Sequence, residues 1–444
     1  MSSPKLLRVA FAYLGGPVAH ESLNTLLSCI VLALNGKAEV IGLSGGLHPL
    51  LNGSTEGVIP LSVDDLKNPE EMGQCLLVTE RELPRRRELE WDRAVEILCD
   101  ELHIDVLIVS GGDGSFIAMK SLADASRGRL RIIIIPRTMD GDFVKSEYDI
   151  GFDSALQNAI RTLKGHHGEC STYGRPSVVQ IMGRDTGIFT LHCAKAVNAR
   201  MCLIPEEFTL GTVEREDLLD ALVAQTLVSL VESNKDRKRR HFSEILVAEG
   251  FWRALTPESQ DRLKMVRKGA EQHGRIDYAA SPPIGSILAE AMTLRFRSLN
   301  VRRLEVDVSA NFRVIGHNER QGPQSKKDKE LAIAQGSWAA ELALSGDSSI
   351  PDTVVALPGK YWKPFTNIKL IDGGDRIEQP LKLVGPTLFR DTVDKQSWLT
   401  EAHLNDELML ADLASYTSLS PVDFKRRFEK AAQFFSKRRP VATA

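Results

Sequence analysis

Through the first two-thirds of the chain, short runs of Val, Ile, Leu and Ala alternate with longer stretches of helical periodicity. Leu6 to Leu14 is apolar almost without interruption and ends in Gly15 and Gly16, after which Ser22 to Leu34 has helix-like spacing. Ala38 to Leu43 is a second apolar run, closed by Ser44, Gly45 and Gly46. Trp91 to Leu102 reads as a helix and Ile104 to Ser110 as a buried strand. Arg131 to Ile135 holds four consecutive isoleucines, and Pro136 stops it. Ser177 to Met182 and Glu244 to Ala248 repeat the pattern. Continuous rather than alternating apolar runs mark strands buried on both faces, as in parallel sheets covered by helices. The expected fold class is therefore α/β, doubly wound. Several strand ends run straight into glycine or polar loops, and such sheets bind ligands at those ends.

Two stretches read as loops. Lys235 to His241 is a basic run before a strand, expected as a solvated loop, and Gln321 to Lys329 is polar throughout. The last ~60 residues carry helical patterns, Glu401 to Tyr416 and Pro421 to Lys437, and read as an appended helical tail. No short-period repeat and no low-complexity segment interrupts the chain.

Composition changes this picture mainly by exclusion. The 444 residues carry 56 Lys and Arg against 59 Asp and Glu, a formal charge of −3, which argues against a protein that coats nucleic acid. Charged residues at 26% and hydrophobic residues at 43% are ordinary for a soluble globular chain long enough to fold without staples. Six cysteines without a CxxC pair fit buried free thiols and a reducing, cytoplasmic setting. No apolar run approaches the ~18 residues that span a bilayer, so no membrane partner is expected.

The sharpest local feature follows the Ile104 to Ser110 strand: Gly111-Gly112-Asp113-Gly114-Ser115, then a helical run from Phe116. Glycines at a strand end let backbone N–H groups approach a phosphate, and the next helix N-terminus favours negative charge. Asp113 in such a loop suits a divalent cation bridging it to the phosphate, or it simply caps the helix. There is no GxxxxGK[ST] segment, so this is not a P-loop. The next strand ends in Pro136 and then Arg137-Thr138-Met139-Asp140-Gly141-Asp142. Two carboxylates beside an arginine and a threonine suit phosphoryl transfer: one carboxylate takes the proton of an attacking hydroxyl while cations neutralise the moving group.

Taken together, GGDGS and PRTMDGD resemble the phosphofructokinase family, and other segments agree in order. Met182-Gly183-Arg184 resembles its MGR segment, Ile204-Pro205-Glu206-Glu207 its IPEE segment, and Val247-Ala248-Glu249-Gly250 the segment carrying a sugar-binding glutamate. Ile315 to Arg320 resembles LGHxQR, and Gly151-Phe152-Asp153-Ser154-Ala155 resembles the GFDTA of the pyrophosphate-using long subgroup. The resemblance covers roughly residues 8 to 340. It implies two doubly wound, Rossmann-like lobes with the active site in the cleft between them: residues 1–143 on the phosphate-donor side, 144–312 on the sugar-phosphate side, 313–380 completing the lobes, and 381–444 a helical C-terminal extension. It implies a homo-oligomer, dimer or tetramer, that transfers a phosphoryl group to the 1-hydroxyl of fructose 6-phosphate with Mg²⁺.

Carried over residue by residue, Asp140 would be the base, Thr138 would contact the transferred group, and Asp113 and Asp142 would serve Mg²⁺. Gly15, Gly16, Gly111, Gly112, Asp113, Gly114, Ser115 and Arg137 fall on the donor side. Thr138, Asp140, Asp142, Met182, Gly183, Arg184, Glu249, His317 and Arg320 would hold the sugar phosphate, and Arg175 falls where the family often uses a neighbouring subunit's arginine. Arginine forks match phosphate oxygens, which supports these roles chemically. The family's glycine-rich donor segment is replaced by Cys75 to Arg87, and Asn311 stands where a second phosphate arginine is expected.

Gly114 follows GGD where pyrophosphate enzymes usually have an aspartate that fills the space of a nucleotide α-phosphate, so ATP is the expected donor. Pyrophosphate, another sugar-phosphate acceptor, and a non-catalytic sugar-phosphate sensor are the alternatives. His166-His167-x-x-Cys170 has metal-like spacing but lacks a second cluster, and is expected to be a loop of ordinary polar residues. Cys193 and Cys202, in helical-looking surroundings, are expected in the core.

Overall fold

The computed structural model describes residues 6–16, 18–79, 88–141, 143, 146, 148–235, 243–264, 271–272, 275–276, 284–303, 306–345, 353–357, 366–369 and 398–435. The chain forms two compact units, Met1–Asn158 with Arg320–Leu381, and Ala159–Glu319 with Lys382–Ala444. In chain order the first unit begins with β1 (Leu7–Leu14), α1 (His20–Leu34), β2 (Ala38–Leu43), α2 (His48–Leu51), β3 (Val58–Leu61), α3 (Glu88–Glu96), β4 (Val106–Gly111), α4 (Asp113–Ser126) and β5 (Arg131–Pro136). Helix α5 (Phe152–Tyr173) carries the chain into the second unit. There follow β6 (Ser177–Ile181), α6 (Ile188–Val197), β7 (Met201–Leu203), α7 (Arg215–Lys235), β8 (Glu244–Ala248) and α8 (Pro257–Lys264). Short strands β9 (Glu271–Gln272) and β10 (Arg275–Ile276), α9 (Ile284–Ser298), β11 (Arg302–Arg303), β12 (Val306–Asp307) and β13 (Asn311–Ile315) complete that passage. Helix α10 (Lys326–Leu344), β14 (Thr353–Leu357) and β15 (Thr366–Lys369) return to the first unit, and α11 (Glu401–Asn405), α12 (Glu407–Ser415) and α13 (Pro421–Phe434) to the second.

The first unit is a seven-stranded sheet in the order β15-β14-β5-β4-β1-β2-β3. Its five inner strands are parallel, and β15 and β3 pair antiparallel at the two edges. The continuous apolar runs bury both faces of the inner strands, as expected. Val9, Phe11 and Tyr13 pack with Leu23, Leu26 and Leu331 from α1 and α10, while Ala10, Ala12 and Leu14 join Trp91 and Phe116 from α3 and α4. The isoleucine run divides the same way, with Ile133 and Ile135 on one side and Ile132 and Ile134 on the other. Each fully buried side chain of this size contributes about 1.5–3 kcal/mol. Strand order reverses between β1 and β4, which is the switch point where doubly wound sheets bind ligands.

The second unit has a four-stranded parallel sheet, β13-β6-β8-β7. Helix α7 is buried on nearly every side from Leu218 to Val231, because α9 and the C-terminal helices surround it. The C-terminal region is helical, as expected, and its Leu404, Leu413, Phe424 and Phe428 lie in this unit's core with α7 rather than outside it. The single helix read over Glu401 to Tyr416 divides at Asp406, whose Oδ1 accepts from the N–H groups of Leu408 and Met409, 3.0 Å each, and starts α12. Most of the basic run, 236–241, lies outside the described residues.

The polar stretch Gln321 to Lys329 is only partly loop, since α10 begins at Lys326. Ser325 Oγ accepts from Asp328 N–H at 3.1 Å and caps the helix, so its polarity marks a helix start. Asp328 also caps a second helix. Its Oδ2 accepts from Gly151 N–H at 3.1 Å and Ser154 N–H at 2.9 Å, at the start of α5. Burial pushes this carboxyl up to about 6, against the pull of the Ser154 and Gly151 bonds.

Replacing Asp328 with Ala should cost about 1–2 kcal/mol of stability, the range for a lost helix cap, read by urea unfolding. Since the folded group holds its proton up to about pH 6, its ionisation erodes stability as pH rises through that value. The urea midpoint of wild type relative to Asp328→Asn should fall between about pH 4 and pH 6 and level off above; an unchanged difference would contradict the assignment.

Candidate active site

In the first unit, parallel register brings three loops level. Leu14 pairs with Gly111, and Gly111 with Pro136, so the chain leaves β1, β4 and β5 at one edge of the sheet. Gly15 and Gly16 follow β1; Gly112, Asp113, Gly114 and Ser115 follow β4; Arg137, Thr138 and Asp140 follow β5. The N-cap of α4 is Gly112, and Asp113 is the first helical residue, so the reading of Asp113 as the cap is replaced. No side chain caps that first turn, which suits an anion there. Asp142 and the arginines of the Cys75 to Arg87 segment lie outside the described residues.

Arg137, expected on the donor side, is 2% exposed and turned towards the glycine loop. Its Nη1 donates to Gly16 O at 2.7 Å and its Nη2 to Leu14 O at 2.6 Å. On the alternate carbonyls, the Thr79 hydroxyl lies 3.2 Å from Tyr13 O and 2.7 Å from Gly15 O. Arg137 and Thr79 thus approach the end of β1 and the loop after it from two sides. Thr138 and Asp140 are buried, and Thr138 Oγ1 accepts from Asp140 N–H at 3.0 Å. Gly141 has φ of 63°, and a Cβ there would stand 2.7 Å from the Phe152 ring, so the first residue of α5 fixes the backbone beside Asp140. Arg320 is also in this unit, nearly buried, and its carbonyl accepts from Ala19 N–H at 2.8 Å.

In the second unit, the other expected residues gather at the carboxyl ends of the four-stranded sheet. Met182, Gly183 and Arg184 follow β6, Glu249 follows β8, and His317 follows β13, while Met182 N–H donates to Ile315 O at 3.0 Å. Glu249 is 5% exposed, and its Oε1 accepts from Gly183 N–H at 3.1 Å and Arg184 N–H at 2.6 Å. Burial raises this carboxyl above its ordinary range, and those two N–H groups and the Arg184 charge oppose the rise. Arg184 sits at φ 51°, an uncommon conformation for a side-chain-bearing residue, which Glu249 holds in place. Arg184 and His317 are exposed. A Cβ on Gly250 would collide with the Arg184 carbonyl oxygen and come 3.0 Å from Asp185 Cα, which is why glycine follows the glutamate.

Arg175 is not part of that gathering. It precedes β6, at the opposite end from Arg184, and lies 5.1 Å from the Tyr173 ring centroid. His166, His167 and Cys170 lie in α5 rather than a loop. His166 Nε2 is 2.6 Å from Ser177 Oγ, and His167 Nδ1 is 3.1 Å from Glu244 Oε2. Among the described residues no three His, Cys, Asp or Glu side chains are placed to share a metal ion. Cys193 in α6 and Cys202 in β7 are fully buried, as expected, although Cys202 is on a strand rather than a helix. No described helix is long and apolar enough to cross a membrane.

Sequence reading gave no role to Glu206, Asp328 or Thr79. Glu206 was visible only as part of a motif. Asp328 had a local signal, the Ser325-x-x-Asp328 spacing of a capping box. Thr79 had none, because its partners are 64 and 66 residues away.

Known proteins resemble this chain in sequence and in fold. The Phosphofructokinase family profile matches residues 8–343. The pyrophosphate–fructose 6-phosphate 1-phosphotransferase of Thermotoga maritima is 27% identical over 348 residues, covering 78% of this chain and 79% of that protein. The ATP-dependent 6-phosphofructokinase of Clostridium botulinum is 26% identical over 343 residues, covering 77% and 88%. The structure of phosphofructokinase from Saccharomyces cerevisiae superposes with a TM-score of 0.60 at 18% identity, over 97% of this chain. This chain spans 51% of the yeast chain's length.

Gly250→Ala should destabilise the second unit by about 1–3 kcal/mol, as for an overpacked site, because backbone and not a flexible side chain must yield. Chemical denaturation measures it, and an unshifted midpoint would contradict the close approach of Gly250 to Arg184.

Proposed function

Because this chain belongs to the phosphofructokinase family, we propose that it moves the terminal phosphoryl group of Mg-ATP to the 1-hydroxyl of fructose 6-phosphate, giving fructose 1,6-bisphosphate. The observation that carries the proposal is the buried Thr138–Asp140 turn after β5, level with the glycine turn after β4. Asp140 takes the proton of the sugar's 1-hydroxyl as its oxygen attacks the phosphoryl group. Thr138 contacts the transferred group, and backbone N–H groups at Gly111 to Ser115 receive the donor phosphates. Met182, Gly183, Arg184, Glu249 and His317 hold the sugar, with Arg320 on its 6-phosphate.

Carboxylates following neighbouring strand ends are the hard oxygen donors that Mg²⁺ takes, usually one or two together with substrate phosphates. Asp113 and Asp142 would hold the ion, which neutralises phosphate charge when bound. A homo-oligomer is part of the proposal, because Arg175 stands at the far end of β6 from Arg184 and would serve a second copy's sugar phosphate. A cytoplasmic setting fits the six cysteines, all of which are free thiols.

Gly114 supports ATP, since it puts no side chain in the first turn of α4 where a nucleotide α-phosphate would lie. Pyrophosphate is the second reading, favoured by Gly151 to Ala155 and by the Thermotoga relative.

Asp140→Asn should lower kcat by about 10²–10⁴-fold with an unchanged melting temperature, the range for a lost general base; near-normal turnover would remove Asp140 from that role. Gly114→Asp should depress turnover with Mg-ATP at least ten-fold, by roughly the 1.4 kcal/mol per decade that a misplaced charge readily supplies. Unaltered ATP turnover in that variant would contradict the donor assignment.

A further inference from the structure

The turn from Gly183 to Gly187 joins β6 to α6 and carries Arg184. Inside it, Thr186 N–H donates to Gly183 O at 3.1 Å. Its near end is held by Glu249, as described above. Its far end is held by a second carboxylate, Glu206, from the short helical turn Pro205–Glu207 after β7. Glu206 Oε1 accepts from Gly187 N–H at 2.7 Å. Its Oε2 is buried without a hydrogen-bond partner among the described residues, and a Cβ on Gly187 would stand 2.7 Å from it. Because β7 and β8 are neighbours, the two carboxylates reach the turn from adjacent strand ends.

We infer that Glu206 is a positioning residue for the acceptor: its carboxylate pins the far end of the Gly183–Gly187 turn, and through it the left-handed Arg184 that meets the sugar phosphate. The inference rests on the acceptor role proposed for Met182, Gly183 and Arg184. Burial pushes the Glu206 carboxyl up to about 7, opposed by the Gly187 bond and by Arg253. Arg253 in turn pairs with Asp185 of the same turn at 3.5 Å, and Glu249 is the remaining carboxylate on it. As pH rises through 7, Glu206 ionises, and a neutral acceptor at Gly187 N–H becomes a charged and stronger one.

The test uses the purified full-length chain, with Glu206→Ala and Glu206→Gln. Glu206→Ala should raise KM for fructose 6-phosphate about ten-fold and leave kcat within about two-fold, as expected when binding but not the chemical step is lost. Glu206→Gln should match wild type at pH 6 and fall about five-fold behind it in KM at pH 8, where only wild type has the charged acceptor. Ionisation of the 6-phosphate cancels in the ratio of variant to wild type. A lower melting temperature in Glu206→Ala with wild-type KM, or a KM ratio for Glu206→Gln that is the same at both pH values, would overturn the inference. Amide exchange of the 183–187 backbone needs no substrate and should be faster in Glu206→Ala than in wild type. Unchanged exchange would overturn the inference even with the function intact, whereas wild type that neither binds nor turns over fructose 6-phosphate would defeat the functional proposal alone.

Discussion

A buried guanidinium bonded to two backbone carbonyls is the contact on which the first unit's strand-end loops depend. When a parallel ladder ends, the next carbonyl oxygens lose their strand partners and still need donors if they stay out of water. Arg137 supplies them to Leu14 and Gly16, and Thr79 faces the alternate carbonyls of Tyr13 and Gly15. Hydrogen bonds from a charged group are worth about 1.5–3 kcal/mol each, and a lysine, as a point charge, lacks the fork that reaches two acceptors. The first loop is thereby tied to the strand that carries Thr138 and Asp140. A glycine loop that moved independently of the turn after β5 would have to break both bonds.

The second unit solves the complementary problem with the opposite charge. Its β6 turn exposes N–H groups, and two buried carboxylates accept from them, Glu249 at Gly183 and Arg184 and Glu206 at Gly187. Burying carboxylates is unfavourable, as their raised proton affinities record. The return is a non-glycine residue, Arg184, held in a left-handed conformation within a turn tied at both ends. In both units, buried charge shapes the backbone at strand ends.

Much of the fold was legible in the sequence because its driving pattern is local. Ile132 to Ile135 or Val9 to Leu14 can be satisfied only by a strand covered on both sides, and register then places the turns that follow at one edge. The motif residues were legible because glycine, aspartate and arginine at strand ends have few structural uses. What escaped depends on partners remote in sequence. Asp328 caps a helix that starts 176 residues earlier, and no local pattern near Arg137 distinguishes a guanidinium facing phosphate from one bonded to carbonyls. The helix at Lys326 was hidden for a different reason, since its polar first turn looks like a loop until Ser325 is seen to cap it.

The most direct measurement is phosphorus NMR of the wild-type chain with Mg²⁺, fructose 6-phosphate and either ATP or pyrophosphate. The expected result is a new sugar 1-phosphate resonance growing with loss of the ATP γ-phosphate signal. A 1-phosphate formed from pyrophosphate alone would contradict the donor assignment, and no new phosphate ester with either donor would contradict the phosphotransfer account itself.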